Sequence, residues 1–276
     1  HEPMLDGTTD VASKFPASRM RTRDVDGVPT TAYFASDFTL AEIKTLRAVQ
    51  PRANRPQAYN GLYEIPTLDE VIALAKAEGT KRGKRVGIYP EIKHSTYHAT
   101  TVGFGANYFE DKLVATLHAA YGNVASAPVF IQSFEVSNLQ YLNTRTNIKL
   151  VQLIDADDVK DDGSLSLVAP YRQPYDFVAK GDARLFSDLL TPAGLDFVKT
   201  YANGIGTSEY EANKSFIATL TNRLPYWPKI ALDSVLLSVI AGRTKYFEQN
   251  VARAVFASHA ETVRAYPWLK LVGAAA

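Results

Sequence analysis

An alternation of short apolar segments with longer amphipathic ones constrains the fold of this chain more than any other feature. The segments predicted to be strands are RVGIYPEIK, APVFIQSF and IKLVQLID. The segments predicted to be helices are PTLDEVIALAKAEG, NYFEDKLVATLHAAYG, EVSNLQYLNTR and TPAGLDFVKTYANGIG, the last closing on a short strand. Such alternation is typical of parallel βαβ units. A doubly wound sheet fits it as well, and the length of 276 residues favours an α/β fold of the (β/α)8-type barrel.

Two helix starts are marked by capping boxes, in which a threonine is followed three residues later by a glutamate. Thr39 with Glu42 precedes one apolar stripe, and Thr67 with Glu70 precedes another. Gly79 follows the second stripe and is predicted to end that helix.

The segments outside this alternation carry weaker signals. Residues 1–37 are predicted to be a long loop, and residues 156–190, which contain a charged run, to be an insertion. Residues 208–276 show helical periodicity and no comparable strand signal. We therefore expect an incomplete barrel over residues 1–206. A mainly helical region over residues 207–276 is expected to pack on that barrel or to form a homo-oligomer.

Composition and missing motifs exclude several classes of function. The net charge of +1 gives no reason to expect nucleic acid as a partner. The absence of cysteine excludes disulfides and thiolate metal sites. No apolar stretch reaches the roughly 18 residues of a membrane span. The chain begins at His1 with no signal-peptide pattern, so we expect a processed or truncated start.

The run YPEIKH carries the clearest chemical signal. Glu91 and Lys93 lie two residues apart on a predicted strand, so their side chains share one face. Both lie at the carboxyl end of that strand, which in a barrel is the catalytic mouth. A carboxylate there suits Mg²⁺ or Ca²⁺, and a lysine suits a phosphate oxygen. The alternative is a structural ion pair at the strand end.

The five histidines give weaker signals. His94 and His98 are four residues apart, which on a helix suits a metal pair, but their position after a strand favours a loop. His118 and His259 lie in predicted helices and are interpreted as structural or solvated. His1, taken by itself, is only a terminal residue.

Several segments together resemble those of the glycerophosphodiester phosphodiesterase family, especially its periplasmic bacterial branch. HEPMLDGTTDV resembles the family's H-[DE]-P-x-L-x-x-T-T-x-[VI] segment, and IPTLDEVIALAK its I-P-T-L-x-E-x-L segment. VGIYPEIKH resembles the family strand that carries a metal-binding glutamate and a lysine. VFIQSFE and TPAGLDFVKTYANGIG also resemble family segments, so that the matches are collinear over about residues 1–206.

The resemblance implies a barrel with a divalent metal, Ca²⁺ or Mg²⁺, at its mouth, and hydrolysis of glycerophosphodiesters to an alcohol and glycerol 3-phosphate. It implies that His1 is one of two acid/base histidines, that Glu91 is a metal ligand and that Lys93 contacts substrate or phosphate. It also implies a periplasmic or extracellular location.

The sequence departs from the family pattern at both ends. The family's H-R-G strand and its E-x-D metal ligands would precede His1, and its late motifs have no counterpart after residue 206. One alternative is therefore a catalytically incomplete, barrel-derived binding or interaction module. A sugar-processing barrel is disfavoured, because Lys93 suits phosphate better than a neutral sugar. We expect no tight Ca²⁺ or Mg²⁺ binding unless Asp155 or Glu135 completes a site.

Overall fold

The structure, a computed structural model of the chain, describes residues 3–156, 158–159 and 165–207. His1 and the helices predicted within 208–276 lie outside the described residues. Among the described helices, none combines the length and the apolar character that crossing a membrane requires.

A β-hairpin lies within residues 1–37, so the prediction of a long loop there was wrong. β1 (Arg21–Val25) pairs antiparallel with β2 (Val28–Ala32) around the turn at Asp26 and Gly27. Both turn residues have left-handed backbones, with φ of 52° and 82°, as a tight two-residue hairpin turn requires. Asp24 fixes the turn by accepting a hydrogen bond from the Gly27 amide at 2.7 Å.

A small core holds the N-terminal part together. It is formed by Leu5, Val11, Tyr33, Phe38 and Leu46. The short helices α1 (Val11–Lys14) and α2 (Leu40–Thr45) border this core. The predicted capping box at the start of α2 is confirmed, with both of its reciprocal hydrogen bonds present.

Helix α3 (Leu68–Arg82) begins as predicted but ends later than predicted. Its capping box between Thr67 and Glu70 is confirmed. The prediction that Gly79 ends the helix was wrong, because the helix runs on to Arg82 and Gly83 follows it with a φ of 62°. Glycine adopts this left-handed conformation without a Cβ penalty, which is why the helix ends there.

The parallel strands lie in the middle of the chain. Strands β3 (Phe130–Ser133) and β4 (Lys149–Ile154) are parallel neighbours, and β7 (Gly204–Thr207) continues the sheet in the order β3-β4-β7. The predicted strand at 85–93 is present as an extended segment. It joins β3 in parallel through isolated bridges at Ile88 and Glu91. Three helices follow these segments: α4 (Ser95–Thr100), α5 (Tyr108–Tyr121) and α6 (Val136–Asn143).

The main hydrophobic core lies between this sheet and its helices. Its fully buried members include Leu117 of α5, Ile131 of β3, Leu139 of α6 and Leu150 of β4. The alternation of apolar and polar residues that predicted these elements therefore marks the faces that are buried.

Residues 156–190, which were predicted to be an insertion, contain helices as well as a hairpin. The elements are β5 (Asp158–Val159), β6 (Leu165–Ser166), α7 (Tyr175–Lys180) and α8 (Phe186–Leu189), followed by α9 (Pro192–Lys199). Phe177, Phe186 and Leu189 are buried in the main core. Helices α7 and α8 have six and four residues, which is too few to show a helical period. For this reason the sequence did not predict them.

The described residues fall into two units. One comprises residues 3–156 and 167–205, and the other includes the β5–β6 hairpin and residues 206–207. The fold class is α/β, as predicted. Within the described residues, the parallel sheet does not close into a barrel.

Candidate active site

A pocket of about 300 Å³ opens at the carboxyl ends of the parallel segments. Lining residues at or just beyond these ends are Ile92, Lys93, His94, Ser133, Phe134, Glu135 and Asp155. The β1–β2 hairpin adds Val25, Asp26, Val28 and Thr30, and residues 170–175 add Pro170, Tyr171, Gln173 and Tyr175. The carboxyl ends of parallel strands are where α/β proteins bind ligands, so this pocket is the candidate active site.

Lys93 lines this pocket, and Glu91 lies two residues before it on the same extended segment. Ile92, between them, is 6% exposed and faces the main core, as period-two alternation requires. Glu91 is half-buried and forms a parallel bridge with Gln132 of β3. Glu91 is not among the described lining residues, so the structure brings Lys93, but not Glu91, into this pocket.

His94 reaches the same pocket and is bonded to a residue of the hairpin. Its Nδ1 lies 2.6 Å from Oδ2 of Asp26, and both residues line the pocket. His94 immediately precedes α4 and has a left-handed backbone with a φ of 58°. The interpretation of His94 and His98 as a loop pair was wrong, because α4 begins directly after His94 and His98 lies within that helix.

His98 has the surroundings of a structural residue. Its ring packs against Phe109 and Phe104, with centroids 4.4 Å and 6.3 Å away. Burial, together with the neighbouring His94, lowers the pKa of His98 to about 4. Nε2 of His118 lies 2.9 Å from the Thr146 hydroxyl and forms a hydrogen bond with it. This contact agrees with the interpretation of His118 as a structural residue.

Glu135 is a buried carboxylate at the pocket. It directly follows β3, is 4% exposed and accepts hydrogen bonds from the amide and hydroxyl of Thr96 in the first turn of α4. Burial above all, together with the nearby carboxylates of Asp176 and Asp26, raises the pKa of Glu135 to about 7 against the lowering effect of the Thr96 hydrogen bonds. The carboxylate oxygens of Glu135 therefore hold the start of α4 in place through these hydrogen bonds.

The carboxylates near the pocket are of the right chemical type to bind a divalent metal, but among the described residues too few of them lie close together. Glu91, Asp26 and Asp155 carry the oxygen donors that Mg²⁺ and Ca²⁺ prefer. Asp26 Oδ1 is buried with no hydrogen-bond partner in the structure. Over residues 3–156, 158–159 and 165–207, however, no group of three or more His, Asp or Glu side chains is placed to hold a metal ion.

Comparison with known proteins identifies the family to which this site belongs. Residues 1–203 match the model of the glycerophosphoryl diester phosphodiesterase family. The chain belongs to this family. It is 37% identical over 216 residues to a glycerophosphodiester phosphodiesterase of Arabidopsis thaliana, a match that covers 75% of this chain and 52% of the relative. It is 28% identical over 228 residues to a glycerophosphodiester phosphodiesterase of Haemophilus influenzae, covering 76% of this chain and 56% of that protein.

The chain thus spans about half the length of these curated relatives of the phosphodiesterase family. The matched region contains both Glu91 and Lys93 and every described residue that lines the pocket. The candidate active site therefore lies within the family-matched part of the chain.

Sequence reasoning missed Asp26 and the role of His94 at this site. The Asp-Gly pair at 26–27, between two segments rich in Thr and Val, is a hairpin signal that could have placed Asp26 in a turn. No spacing in the sequence relates that turn to His94, because 68 residues separate Asp26 from His94.

Proposed function

We propose that the protein hydrolyses glycerophosphodiesters to an alcohol and glycerol 3-phosphate. The observation that carries the proposal is the position of Lys93 in a pocket at the carboxyl ends of the parallel segments of a glycerophosphoryl diester phosphodiesterase family member. The two relatives described above carry the corresponding name.

In this proposal Lys93 places its positive charge beside the phosphate group. A water oxygen forms a new bond to phosphorus, the bond from phosphorus to the alcohol oxygen breaks, and a proton passes to the departing alkoxide. The lysine offsets negative charge that builds up on the phosphate oxygens in the transition state. His1, which lies outside the described residues, is proposed as an acid/base group on the strength of the family motif.

We also propose a divalent cation, Ca²⁺ or Mg²⁺, with Glu91 as one of its ligands. The support is the hard carboxylate oxygen at this position together with the family motif in which Glu91 and Lys93 lie. When bound, such a cation would polarise the phosphate oxygens.

A coupled assay for glycerol 3-phosphate tests the activity. The chain is incubated with glycerophosphodiesters that differ in their alcohol, with Ca²⁺ or Mg²⁺ and then with a chelator. We expect release that needs both the cation and Lys93. Binding of a glycerophosphodiester without any release would instead support the alternative of a binding or interaction module.

The location and association of the protein are separate proposals. The family branch that the sequence resembles supports a periplasmic or extracellular location, which fractionation of the native host would test. The apolar helical stripes predicted within 208–276 support association with a second copy. Light scattering of the chain with and without these residues tests that association.

A further inference from the structure

Two tyrosines, Tyr171 and Tyr175, form part of the wall of the pocket that contains Lys93. Tyr171 is 52% exposed, so it lies where the pocket meets the solvent. Tyr175 is the first residue of α7 and is half-buried. The hydrolysis proposed above uses neither ring, and it also leaves open which alcohol the substrate carries.

The segment 170–175, which carries both tyrosines, is held in place between them. The carbonyl of Arg172 accepts a hydrogen bond from the amide of Phe186 at 3.0 Å. Gln173 is buried, and its side-chain amide donates to the carbonyl of Asp182 at 2.9 Å. Because these bonds fix the segment before any ligand arrives, little conformational freedom is lost when the rings bind one.

The hairpin turn places negative charge beside Tyr175. A Cβ built on Gly27 would lie 3.6 Å from Cε2 of Tyr175, so this edge of the ring lies next to the turn. The Asp24 carboxylate accepts from the Gly27 amide at 2.7 Å, and Asp26 is the other turn residue. Burial above all, together with the carboxylates of Asp24, Asp26 and Glu135, raises the pKa of Tyr175. This side of the pocket therefore favours a cation over an anion.

The parts of a glycerophosphodiester place different demands on the pocket. The phosphate is negative and is assigned to Lys93 in the proposed function. The glycerol moiety is uncharged and carries hydroxyl groups, which need hydrogen-bond partners more than ring faces. The alcohol varies in size, and a variable group fits best at the opening of the pocket, where Tyr171 lies. An aromatic ring attracts a cation through its own electron density, and it binds a quaternary ammonium group especially well.

We propose that Tyr171 and Tyr175 bind the alcohol of the substrate, and that the preferred alcohol is a quaternary ammonium alcohol such as choline. The cation lies against the ring faces, and the carboxylates of Asp24 and Asp26 add to the attraction. The phosphate lies at Lys93. This inference rests on the proposed function and deepens it, because it names the class of alcohol. Tyr171 and Tyr175 are then residues that determine specificity.

A pair of ligands that differ in charge but not in shape tests the proposal. The pair is glycerophosphocholine and the corresponding ester of 3,3-dimethylbutanol, in which a carbon atom replaces the quaternary nitrogen. A merely apolar wall would bind the neutral compound at least as well. We expect calorimetry of the whole wild-type chain, with a chelator present to stop hydrolysis, to show the opposite. The choline compound should bind roughly five- to thirtyfold more tightly, the value of cation–π contacts with two rings.

Replacement of the rings tests whether the two tyrosines cause this preference. Tyr171→Leu/Tyr175→Leu keeps apolar side chains, and the preference should largely disappear in binding and in the ratio of the two kcat/KM values. The alcohols differ as leaving groups, but this difference is the same in every variant. Tyr171→Phe/Tyr175→Phe keeps the ring faces and should keep the preference. Tyr59→Leu/Tyr63→Leu is the matched control, because these exposed tyrosines stack on each other and do not line the described pocket.

Two outcomes overturn the inference. The wild-type chain could bind the neutral compound as tightly as the choline compound, a result that needs no variant to fold. Alternatively, a folded Tyr171→Leu/Tyr175→Leu variant could keep the full preference. These outcomes are separable from failure of the proposed function. A chain that prefers the choline compound but releases no glycerol 3-phosphate supports the inference and contradicts hydrolysis. Equal binding of the two compounds together with release contradicts the inference alone.

Discussion

Glu135 accepts hydrogen bonds from the backbone amide of Thr96 with both carboxylate oxygens, each at 3.1 Å. The two residues are 39 positions apart, at the carboxyl end of β3 and in the first turn of α4. Amides in the first turn of a helix have no partner within the helix, so Glu135 replaces the missing acceptor. One buried side chain therefore fixes the start of α4, and with it the backbone of His94, against the sheet.

The raised pKa of Glu135 predicts a pH-dependent stability. Burial raises this pKa from 4.5 in the unfolded chain to about 7 in the folded protein. Between these values the folded state binds more protons, so the contribution of Glu135 to stability is complete below about pH 4.5. It is lost as the pH rises towards 7, by up to roughly 3 kcal/mol. Glu135→Gln should remove this part of the pH dependence.

Urea denaturation at several pH values between 4.5 and 7.5 measures the effect of Glu135. Glu64→Gln is the control, because Glu64 is 53% exposed. An identical change of unfolding free energy with pH in the wild type and Glu135→Gln would contradict the assignment.

A second buried carboxylate should matter for stability in a different way. Asp176 is 2% exposed and accepts from the amides of Val136 and Ser137, at 3.2 Å and 2.7 Å, at the start of α6. Asp176→Ala leaves these amides without an acceptor, which should lower the free energy of unfolding by about 1–3 kcal/mol. Asp111→Ala, at a side chain that is 53% exposed, should change it by less than about 1 kcal/mol. Equal losses for both variants, measured by urea denaturation, would refute a capping role.

The proposed contact of Lys93 with phosphate predicts a loss of activity. Lys93→Met keeps the length of the side chain and removes the charge, so kcat/KM for glycerophosphodiesters should fall roughly 10- to 150-fold, the value of one hydrogen bond between charged groups. Lys112→Met is the control, since Lys112 of α5 lies over the ring of Tyr108 and does not line the described pocket. Release of glycerol 3-phosphate at the wild-type rate by Lys93→Met would contradict the proposal.

The metal proposal predicts weak binding that depends on Glu91. Calcium and magnesium take six or more oxygen ligands, and among residues 3–156, 158–159 and 165–207 no group of three candidate side chains is in place. We expect calorimetric titration to give dissociation constants weaker than about micromolar, and Glu91→Gln to weaken binding further. Submicromolar binding, or binding unaffected by Glu91→Gln, would require ligands other than those proposed.

The parts of the fold that were predicted correctly depend on residues close together in the sequence. The capping boxes of α2 and α3 need a threonine and a glutamate three residues apart, and both are present in the structure. The extended segment at 85–93 was predicted from its own residues, and it joins β3 in parallel through bridges at Ile88 and Glu91. These rules involve only residues that are near one another in the sequence, so they can be applied without knowing any tertiary contact.

The parts that were missed depend on contacts between distant residues. Glu135 gave no signal in its own segment, because the amide that it holds belongs to Thr96. Helix α7 contributes Phe177 to the core, but in six residues it makes too few turns to display a stripe. The hydrogen-bond partner of Glu135 and the burial of Phe177 arise only in the tertiary fold. Neither can be read from a single segment of the sequence.

Substitution of Gly83 tests why α3 ends later than the sequence predicted. Gly83 has a φ of 62°, and a Cβ built at this position would meet nothing within 4 Å. Gly83→Ala therefore measures the cost of the left-handed backbone without a steric clash, and it should lower the free energy of unfolding by about 1–2 kcal/mol. Gly7→Ala is the matched control. Its Cβ also meets nothing within 4 Å, and its backbone is not left-handed.

Gly83→Asn should cost less than Gly83→Ala, because asparagine tolerates the left-handed conformation better than alanine does. Urea denaturation of the three variants beside the wild type gives the order of stability. Equal stability of Gly83→Ala and Gly7→Ala would mean that the chain relaxes after Arg82, and that Gly83 does not determine where α3 ends.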